Sequence, residues 1–579
     1  MTTSQPAASV PAWRIAIIGV VGILAVAIGV AAGSFFLTAR SAALGGGASY
    51  VPASAPFYFE MRLEPSAAQD AELREFLGRF PPIEDVDLAR PLYEQLTEKL
   101  DETLSTEGSG ISWSEDVATW FDGRVGVALL DLPAETFTAP TDPFATPAVP
   151  PMVLLLGVTD EAEAQVAIDR LLGSVPEAPT FTDQMHGATT IHVAEGDMGA
   201  WALTDDQVLI APTAADIQIA LDARASGATT LAEADEITQL TDALPADWLA
   251  FGVYDMTDLM AAAFDEAAAA SPGLDSFREL LENQSLRGAI AVTASGDRIA
   301  FETVTDVPTG PLAVTNADRG LADEVPADVL VYSESSGIGA GFEASIGPMK
   351  ETLSTMPGMA EQLDTIEAAL GTDLEQMLAW MGDGALAVGW DGTLPYGGMV
   401  VVPTDVEEAR RRLDQLATFA GLAALDATSG ISMSERDVEG VSVTSIQWTD
   451  PNGGAEGMPM PMDMFMFTVE WAVTDDRVYL GVGEGFVPRV ISLDEADSLA
   501  SVARYGDAID DLGGPANAGV MWLDLRGVRE AIETAMGGDM LGSSYETDVL
   551  PWLEPLDRLV SVSRIEGAVL VGTFALLVD

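Results

Sequence analysis

The sequence predicts an α+β protein in which one N-terminal transmembrane helix precedes two tandem homologous domains with mainly antiparallel sheets. Three observations support this prediction. Residues 15–37 form an apolar segment, the remaining chain alternates between strand-like and helix-like patterns, and several motifs occur twice in the same order. Because 48% of the 579 residues are hydrophobic, the chain has enough apolar material for two buried cores.

The apolar segment 15–37, IAIIGVVGILAVAIGVAAGSFFL, contains no charged side chain. At 1.5 Å per residue, a helix of this length crosses a hydrocarbon core roughly 30 Å thick. Ser41–Ala43 would suit signal-peptide cleavage, but the apolar core of a signal peptide is usually only about 7 to 15 residues long. We therefore predict an uncleaved signal anchor, with the short tail 1–14 in the cytoplasm and the large C-terminal region outside it. This orientation rests on Arg14 and the amino terminus.

The charge balance predicts a strongly acidic surface. The chain has 91 acidic and 26 basic residues and a formal net charge of -65, and charged side chains are rarely buried without partners. Such a surface repels nucleic acid and anionic lipid, so we predict no nucleic-acid partner, and it suits high salt, which screens self-repulsion. The absence of cysteine excludes disulfides, thiolate metal sites and a cysteine nucleophile.

Motifs recur along the chain in the same order, which indicates an internal duplication. The paired landmarks are, in chain order, Val51 and Val325, Trp120 and Trp380, Thr159 and Thr404, Trp201 and Trp471, and Pro245 and Pro515. Their changing spacing indicates the insert TFTAPTDPFATPAVPP in the first copy and the insert PNGGAEGMPMPMDMFM in the second. We predict homologous domains at 50–309 and 322–579, joined by the linker GPLAVTNADRG.

Short runs rich in aromatic and β-branched residues predict the strands of the first domain. In chain order these runs are APFYFEMRL, RVGVALLDL, VLLLGV, AWAL, QVLIAP and WLAFGVY. Between the first two runs, the leucines of LARPLYEQLTEKLDETL lie four residues apart, at Leu88, Leu92, Leu96, Leu100 and Leu104. This spacing predicts a helix whose apolar stripe packs on the sheet.

Acidic residues begin two matching helical patterns, at Asp160 and Asp405, and each is followed three residues later by a glutamate. Such a pair satisfies the first amide groups of a helix and complements its dipole. We interpret these carboxylates as helix caps. Trp120 and Trp380, which stand between a helical pattern and a glycine-containing strand, are interpreted as buried anchors.

The motifs WALTDDQVLI at Trp201 and WAVTDDRVYL at Trp471 predict a strand, a polar turn and a second strand. Aspartate tolerates the geometry of tight hairpin turns, and threonine and aspartate can bond to the local backbone. The alternative interpretation is a pair of acidic ligands at each turn.

The combination of one N-terminal membrane helix, a YVPA opening strand and a WFDGRVGVAL element, with related motifs later in the chain, resembles the bacterial domain-of-unknown-function family DUF3352. The likeness covers nearly the whole exported part. It implies a membrane-tethered envelope protein and supplies neither an activity nor functional residues.

Sequence motifs of common catalytic and nucleotide sites are absent, including GxxxxGK[ST], HExxH and a complete EF-hand loop. Gly337–Gly341 reads GIGAG, but Phe342 stands where a dinucleotide-binding loop needs its third glycine, so we predict a flexible turn. His186 and His192 lie near acidic residues that suggest a metal site. Because such a site needs three or four convergent ligands, we interpret them as ordinary histidines.

Methionines alternate in GMPMPMDMFM, within the second insert, at positions Met458, Met460, Met462, Met464 and Met466. Thioether sulfurs select Cu(I), and alternation in an extended segment places several on one side. Methionine also fills adaptable apolar surfaces, so a contact with a partner or a lipid, or an unspecialised hairpin tip, are the alternatives.

Together these features predict a membrane-anchored extracytoplasmic protein that is a non-catalytic binding or structural module of the cell envelope. The alternatives are an extracytoplasmic hydrolase with paired carboxylates, or a protein that binds Cu(I) or a hydrophobic ligand. We expect no cofactor, a membrane contact through the N-terminal helix, and an envelope protein or a lipid as the candidate ligand. The sequence does not determine the oligomeric state.

Overall fold

The computed structural model of the protein describes most of the chain. The described residues are 45–82, 86–106, 111–131, 150–174, 180–196, 199–225, 229–261, 284–354, 359–392, 395–425, 430–448, 467–483, 485–536 and 543–579. The predicted membrane segment 15–37 lies outside these ranges. Within them, no helix has the length and apolar character that a membrane crossing requires.

The described residues form two compact units. The first unit takes its residues from 45–259 and 286–305, and nearly all of the second comes from 306–579. Each unit combines an antiparallel sheet with helices, which confirms the prediction of an α+β fold with antiparallel sheets.

In the first unit, the central strand β1 has β2 on one side and β8 on the other. The strands are β1 (Phe57–Arg62), β2 (Phe121–Leu129), β3 (Met152–Val158), β4 (Phe181–His186), β5 (Thr189–Ala194), β6 (Ala200–Leu203), β7 (Gln207–Ala211), β8 (Ala250–Asp255), β9 (Arg287–Ser295) and β10 (Arg298–Asp306). They pair antiparallel in the order β10-β9-β8-β1-β2-β3-β7-β6-β5-β4. The six strands predicted from the sequence are thereby confirmed.

In the second unit, β12 takes the central position. The strands are β11 (Ala317–Asp318), β12 (Val329–Ser335), β13 (Met381–Trp390), β14 (Pro395–Pro403), β15 (Ile431–Val438), β16 (Val441–Trp448), β17 (Phe467–Val473), β18 (Val478–Val482), β19 (Ala516–Asn517), β20 (Gly519–Asp524), β21 (Leu556–Glu566) and β22 (Val569–Val578). The main sheet has the order β22-β21-β20-β12-β13-β14-β18-β17-β16-β15, and β11 pairs with β19 separately. Position by position, the main sheet matches that of the first unit.

Helices connect the strands in both units. Those of the first unit are α1 (Ala67–Leu77), α2 (Leu92–Thr106), α3 (Glu161–Ser174), α4 (Ala214–Ala225) and α5 (Asp235–Asp242). Those of the second are α6 (Ile338–Ser354), α7 (Met359–Leu370), α8 (Leu374–Met377), α9 (Val406–Ala424), α10 (Phe486–Ile491), α11 (Ala503–Leu512), α12 (Leu525–Met536) and α13 (Leu550–Leu553). Short 3-10 or π turns occupy Gly46–Tyr50, Trp113–Val117, Gly310–Leu312, Leu321–Glu324, Glu495–Asp497, Leu499–Ser501 and Tyr545–Val549.

The predicted leucine helix begins later than expected. Helix α2 begins at Leu92, so the prediction was wrong for Leu88, which lies outside it. Pro91 precedes the helix, and a proline disfavours the helical conformation for the residue before it. The rest of the stripe is confirmed by the burial of Leu100 and Leu104.

Each unit buries an apolar core on its sheet, and the two cores share members at matching positions. These are Trp120 and Trp380, Trp201 and Trp471, and Val208 and Val478. Ala164 of α3 and Ala409 of α9 are fully buried in the same cores. A side chain this small allows each helix to approach its sheet closely.

Candidate functional site

A tryptophan and a threonine connect the strands of each core. The indole Nε1 of Trp120 donates to the carbonyl oxygen of Asp116 at 2.8 Å. The carbonyl oxygen of Trp120 accepts the amide of Thr159 at 2.7 Å and its hydroxyl at 2.8 Å. Trp380 and Thr404 repeat the contact, at 2.8 and 3.1 Å. Both tryptophans are 3% exposed, which confirms that they are buried anchors.

The acidic residues before α3 and α9 are helix caps, as predicted. Oδ1 of Asp160 accepts the backbone amides of the residues two and three positions later, each at 3.0 Å. Oδ1 of Asp405 makes the same two contacts at the same distances. These carboxylates satisfy the amides that the first turn of a helix leaves unbonded.

The TDD motifs form the tips of the hairpins β6–β7 and β17–β18. The amide of Thr204 donates to the carbonyl oxygen of Gln207 at 2.9 Å, and its hydroxyl accepts the amide of Gln207 at 3.0 Å. Thr474 and Arg477 make the same contacts at 2.9 and 3.1 Å. The predicted sequence of strand, polar turn and strand is confirmed at both places.

The first hairpin tip contacts the turn at the start of its unit, Gly46–Tyr50, which we call the first entry turn. The hydroxyl of Tyr50 donates to Asp206 at 2.5 Å, and Arg224 pairs with the same carboxylate at 3.2 Å. The guanidinium of Arg224 lies 4.7 Å from the centre of the Tyr50 ring. Burial, and then the bond to Asp206, raise the pKa of Tyr50, so its hydroxyl remains a neutral donor.

The second hairpin tip reaches the second entry turn, Leu321–Glu324, through different side chains. Arg477 pairs with Glu324 at 2.8 Å and with Asp476 at 3.0 Å. The hydroxyl of Tyr479 donates to Glu324 at 3.4 Å, and burial followed by this carboxylate raises the pKa of Tyr479 to about 12. In both units the tip therefore holds the entry turn in place.

A buried tyrosine–glutamate pair lies in the central strand of each unit. The hydroxyl of Tyr58 donates to Oε2 of Glu60 at 2.6 Å, and that of Tyr332 donates to Oε2 of Glu334 at 2.5 Å. The two glutamates are only 2% and 3% exposed, and burial raises the pKa of each. Sequence reasoning used these residues only as landmarks. A carboxylate at an inward strand position, present in both units, is the signal that could have identified them.

The two histidines contact different carboxylates. Nε2 of His186 lies 2.7 Å from Asp222, and Nδ1 of His192 lies 2.8 Å from Asp183. His192 also stacks on Trp201, with ring centres 4.1 Å apart. Among the described residues, no group of three or more histidine, aspartate or glutamate side chains is placed to hold a metal ion. The structure does not bring the two histidines into one site.

An arginine–aspartate network surrounds Trp522, and sequence reasoning missed it. The fully buried carboxylate of Asp557 accepts Arg504 at 3.1 Å and Arg526 at 2.7 Å. Arg504 also pairs with Asp524, and its guanidinium lies 5.4 Å from the Trp522 ring centre. The network ties α11 and α12 to β20 and β21. Its members lie too far apart in sequence for any spacing rule to reveal them.

The GIGAG segment is helical after its first residue, so the prediction of a flexible turn was wrong. Helix α6 begins at Ile338. Gly337 has a φ of 62°, in the left-handed region that glycine favours. A Cβ at Gly339 would lie 2.3 Å from the carbonyl oxygen of Met381, so this glycine allows the helix to touch the sheet.

A cavity of about 510 Å³ lies between α7 and α9. Its lining includes Leu370, Arg411 and the carboxylates of Glu407 and Asp414. Glu407 is already paired with Arg410 at 2.6 Å. A hydrolase of the predicted alternative type would need two carboxylates that converge on a substrate, so the alternative stays a prediction.

The methionines proposed as soft-metal ligands lie outside the described residues. They are Met458, Met460, Met462, Met464 and Met466. The Cu(I) hypothesis and its alternatives therefore stay predictions.

These contacts define a class of protein: a two-unit α+β protein with matching antiparallel sheets, in which the carboxylates of the helix caps and of the first hairpin tip bond within the scaffold. The chain belongs to the DUF3352 family, described as a protein of unknown function, which matches residues 15–541. This match confirms the family resemblance. No curated protein and no solved structure matches the chain.

Proposed function

We propose that the protein is a membrane-anchored, extracytoplasmic module of the cell envelope that binds or supports other envelope components without catalysing a reaction. The proposal that the protein is not catalytic is supported by its carboxylates, because those at the helix starts and at the first hairpin tip are bonded to the scaffold. Asp160, Asp206 and Asp405 are each bonded to the scaffold at 3.0 Å or less. A catalytic carboxylate must instead be within hydrogen-bond reach of a substrate.

The anchor is supported by the sequence and by the extent of the family match. Residues 15–37 are long enough and apolar enough to cross a bilayer. The family match begins at Ile15, the first residue of this segment. A membrane helix here would tether the first unit through only a few residues, since the first entry turn begins at Gly46.

The two units are proposed to derive from a duplication, with domains at 50–309 and 322–579. The matching strand orders support this origin. So do the Trp120–Thr159 and Trp380–Thr404 contacts, which repeat the same geometry. A module of this kind offers two similar surfaces on one chain, which favours a structural or binding role.

A topology experiment tests the proposed location. Alkaline phosphatase, which is active only outside the reducing cytoplasm, is fused to the C-terminus of the full chain and expressed in a bacterial host. We expect an active fusion in the membrane fraction that resists alkaline carbonate extraction. The matched control lacks residues 15–37 and should be inactive and soluble.

Two outcomes would change the proposal. If the full-length phosphatase fusion is inactive, and a fluorescent protein that folds only in the cytoplasm is fluorescent when fused at the same site, the large region lies in the cytoplasm. Loss of an N-terminal epitope tag from an active, extractable protein would show a cleaved signal peptide, and the anchor would then be wrong.

A further inference from the structure

Glu60 contacts Gly45, the residue that precedes the first entry turn. Its Oε2 accepts the backbone amide of Gly45 at 3.0 Å and the hydroxyl of Tyr58 at 2.6 Å. A Cβ at Gly45 would lie 2.2 Å from Oε1, so the main chain of Gly45 covers the carboxyl group. Oε1 is buried and has no hydrogen-bond partner among the described residues. Movement of Gly45 and the first entry turn would therefore expose this oxygen to water.

Glu334 has the same relation to the second entry turn. The hydroxyl of Tyr332 donates to its Oε2 at 2.5 Å. The backbone amides of Gly320 and Leu321, at the start of the turn, lower the pKa of this carboxyl group, against the larger effect of burial. A buried tyrosine–glutamate pair next to an entry turn thus occurs in both units, at the same position of the central strand.

Ionisable groups face each glutamate from the neighbouring elements. Those around Glu60 are Tyr58 and Arg62 on β1 and Arg124 on β2, which is itself paired with Asp122. Burial raises the pKa of Glu60, and it outweighs the two arginines and the hydrogen bonds from Tyr58 and Gly45, all of which favour the ionised form.

Around Glu334 the ionisable neighbours are Tyr332, Arg319 of the preceding segment and Tyr505 of α11, with Asp323 close to Tyr505. Burial again has the largest effect and raises the pKa of Glu334. Both tyrosines have pKa values raised above their ordinary value, mainly by burial, so they remain neutral donors.

We propose that Glu60 and Glu334 are proton-dependent latches: each holds the entry turn of its own unit closed while its carboxyl is protonated, and loosens that turn when it ionises. The closed turn removes water from the carboxyl, whereas the open turn allows it to be hydrated. The open state therefore binds the proton less tightly. By linkage, raising the pH favours the open state.

The entry turns should open over a limited range of pH. Opening is insensitive to pH below about 4.5, the ordinary value for glutamate, because the carboxyl is protonated in both states. It increases with pH up to the raised pKa of the closed state and then levels off. One proton per turn limits the slope to about tenfold per pH unit.

Hydrogen exchange with mass spectrometry on the full chain tests the proposal. Exchange is measured between pH 5 and pH 9 and divided by the intrinsic rate at each pH. Peptides containing residues 45–51 and 320–325 should lose protection with rising pH, by up to about tenfold per unit.

The two glutamates provide matched controls for each other. Glu60→Gln cannot ionise, so it should flatten the profile of the first entry turn and leave that of the second unchanged. Glu334→Gln should do the reverse. A slope that persists at the first turn in Glu60→Gln, or a flattening of both turns by either variant, would overturn the proposal.

A second variant keeps the test decisive if Glu60→Gln does not fold. Tyr58→Phe removes a hydrogen bond that favours the ionised form of Glu60. Its first entry turn should therefore lose protection over a window that extends to higher pH than in the parent protein. An unchanged profile in Tyr58→Phe would also contradict the latch.

Discussion

Both the amide and the hydroxyl of Thr159 donate to the carbonyl oxygen of Trp120, at 2.7 and 2.8 Å. This double contact joins the strand that follows Trp120 to the start of α3. Because Thr404 and Trp380 repeat it, the contact is a property of both units.

Removal of the hydroxyl should weaken this junction without breaking it. Thr159→Val keeps the shape and the backbone bond, so we expect a loss of about 1 kcal/mol in the free energy of unfolding, the usual net value of one hydrogen bond. Urea denaturation measures it. The control is Thr97→Val on α2, where the hydroxyl makes a solvent-exposed bond to the carbonyl oxygen of Glu94 and a change within about 0.5 kcal/mol is expected. Equal effects at both positions would contradict the role of the Trp120 carbonyl.

The two aspartates of the first hairpin tip should differ in their effect on stability. Asp206 contacts Tyr50 and Arg224, whereas its neighbour Asp205 is exposed. Asp206→Asn should lower the free energy of unfolding by about 1.5 to 3 kcal/mol, the range for hydrogen bonds to charged groups, and Asp205→Asn should have little effect. If both variants instead retain full stability and lose heat of Ca²⁺ binding in calorimetry, the tips are acidic ligand sites.

The two lysines of the chain provide a matched test of acid sensitivity. Lys350 pairs with Glu367 at 2.6 Å, and this bond, followed by the amide of Leu374, lowers the pKa of Glu367. A lowered pKa stabilises the fold above the unfolded value of about 4.5, and that stability is lost as the pH falls through the folded value.

Lys350→Met should therefore lower the free energy of unfolding at pH 7 by no more than about 1 kcal/mol. The difference between the variant and the parent protein should become smaller below pH 4.5. Lys99→Met removes a more exposed pair with Glu102 and should have a smaller effect at every pH. Near its pI of 4.1 the protein has little net charge, which promotes association. Pulse proteolysis suits this measurement because it works at low protein concentration. A Lys350→Met difference that is independent of pH would contradict the pairing.

Salt should stabilise the protein by screening its net charge of -65. The Debye length falls from about 30 Å at 0.01 M to about 8 Å at 0.15 M ionic strength, so repulsion among surface carboxylates weakens in this range. We expect the thermal midpoint to rise between these two concentrations of NaCl. Sucrose at matched osmolality is the control, since it leaves the charges unscreened. A midpoint that stays constant in NaCl would show that the acidic surface does not destabilise the fold.

Features of the fold that depend on neighbouring residues could be predicted from the sequence. Alternation and β-branched residues identified six strands, because side chains alternate between the two faces of a strand. The caps at Asp160 and Asp405 were predictable because their bonds span only two or three residues. The TDD tips were predictable for the same reason. The late start of α2 was missed because the leucine spacing was followed past Pro91.

The sequence by itself determined the composition of each element and the order in which matching elements recur. Only the tertiary structure decided which polar groups meet. Tyr50 and Asp206 are separated by 156 residues, and the sheet order brings them to 2.5 Å. Glu60 is a latch candidate only because β1 is central and the chain of Gly45 folds over it. The physical reason is that local bonds depend on the spacing of neighbours, whereas burial and charge pairing depend on which distant strands lie side by side.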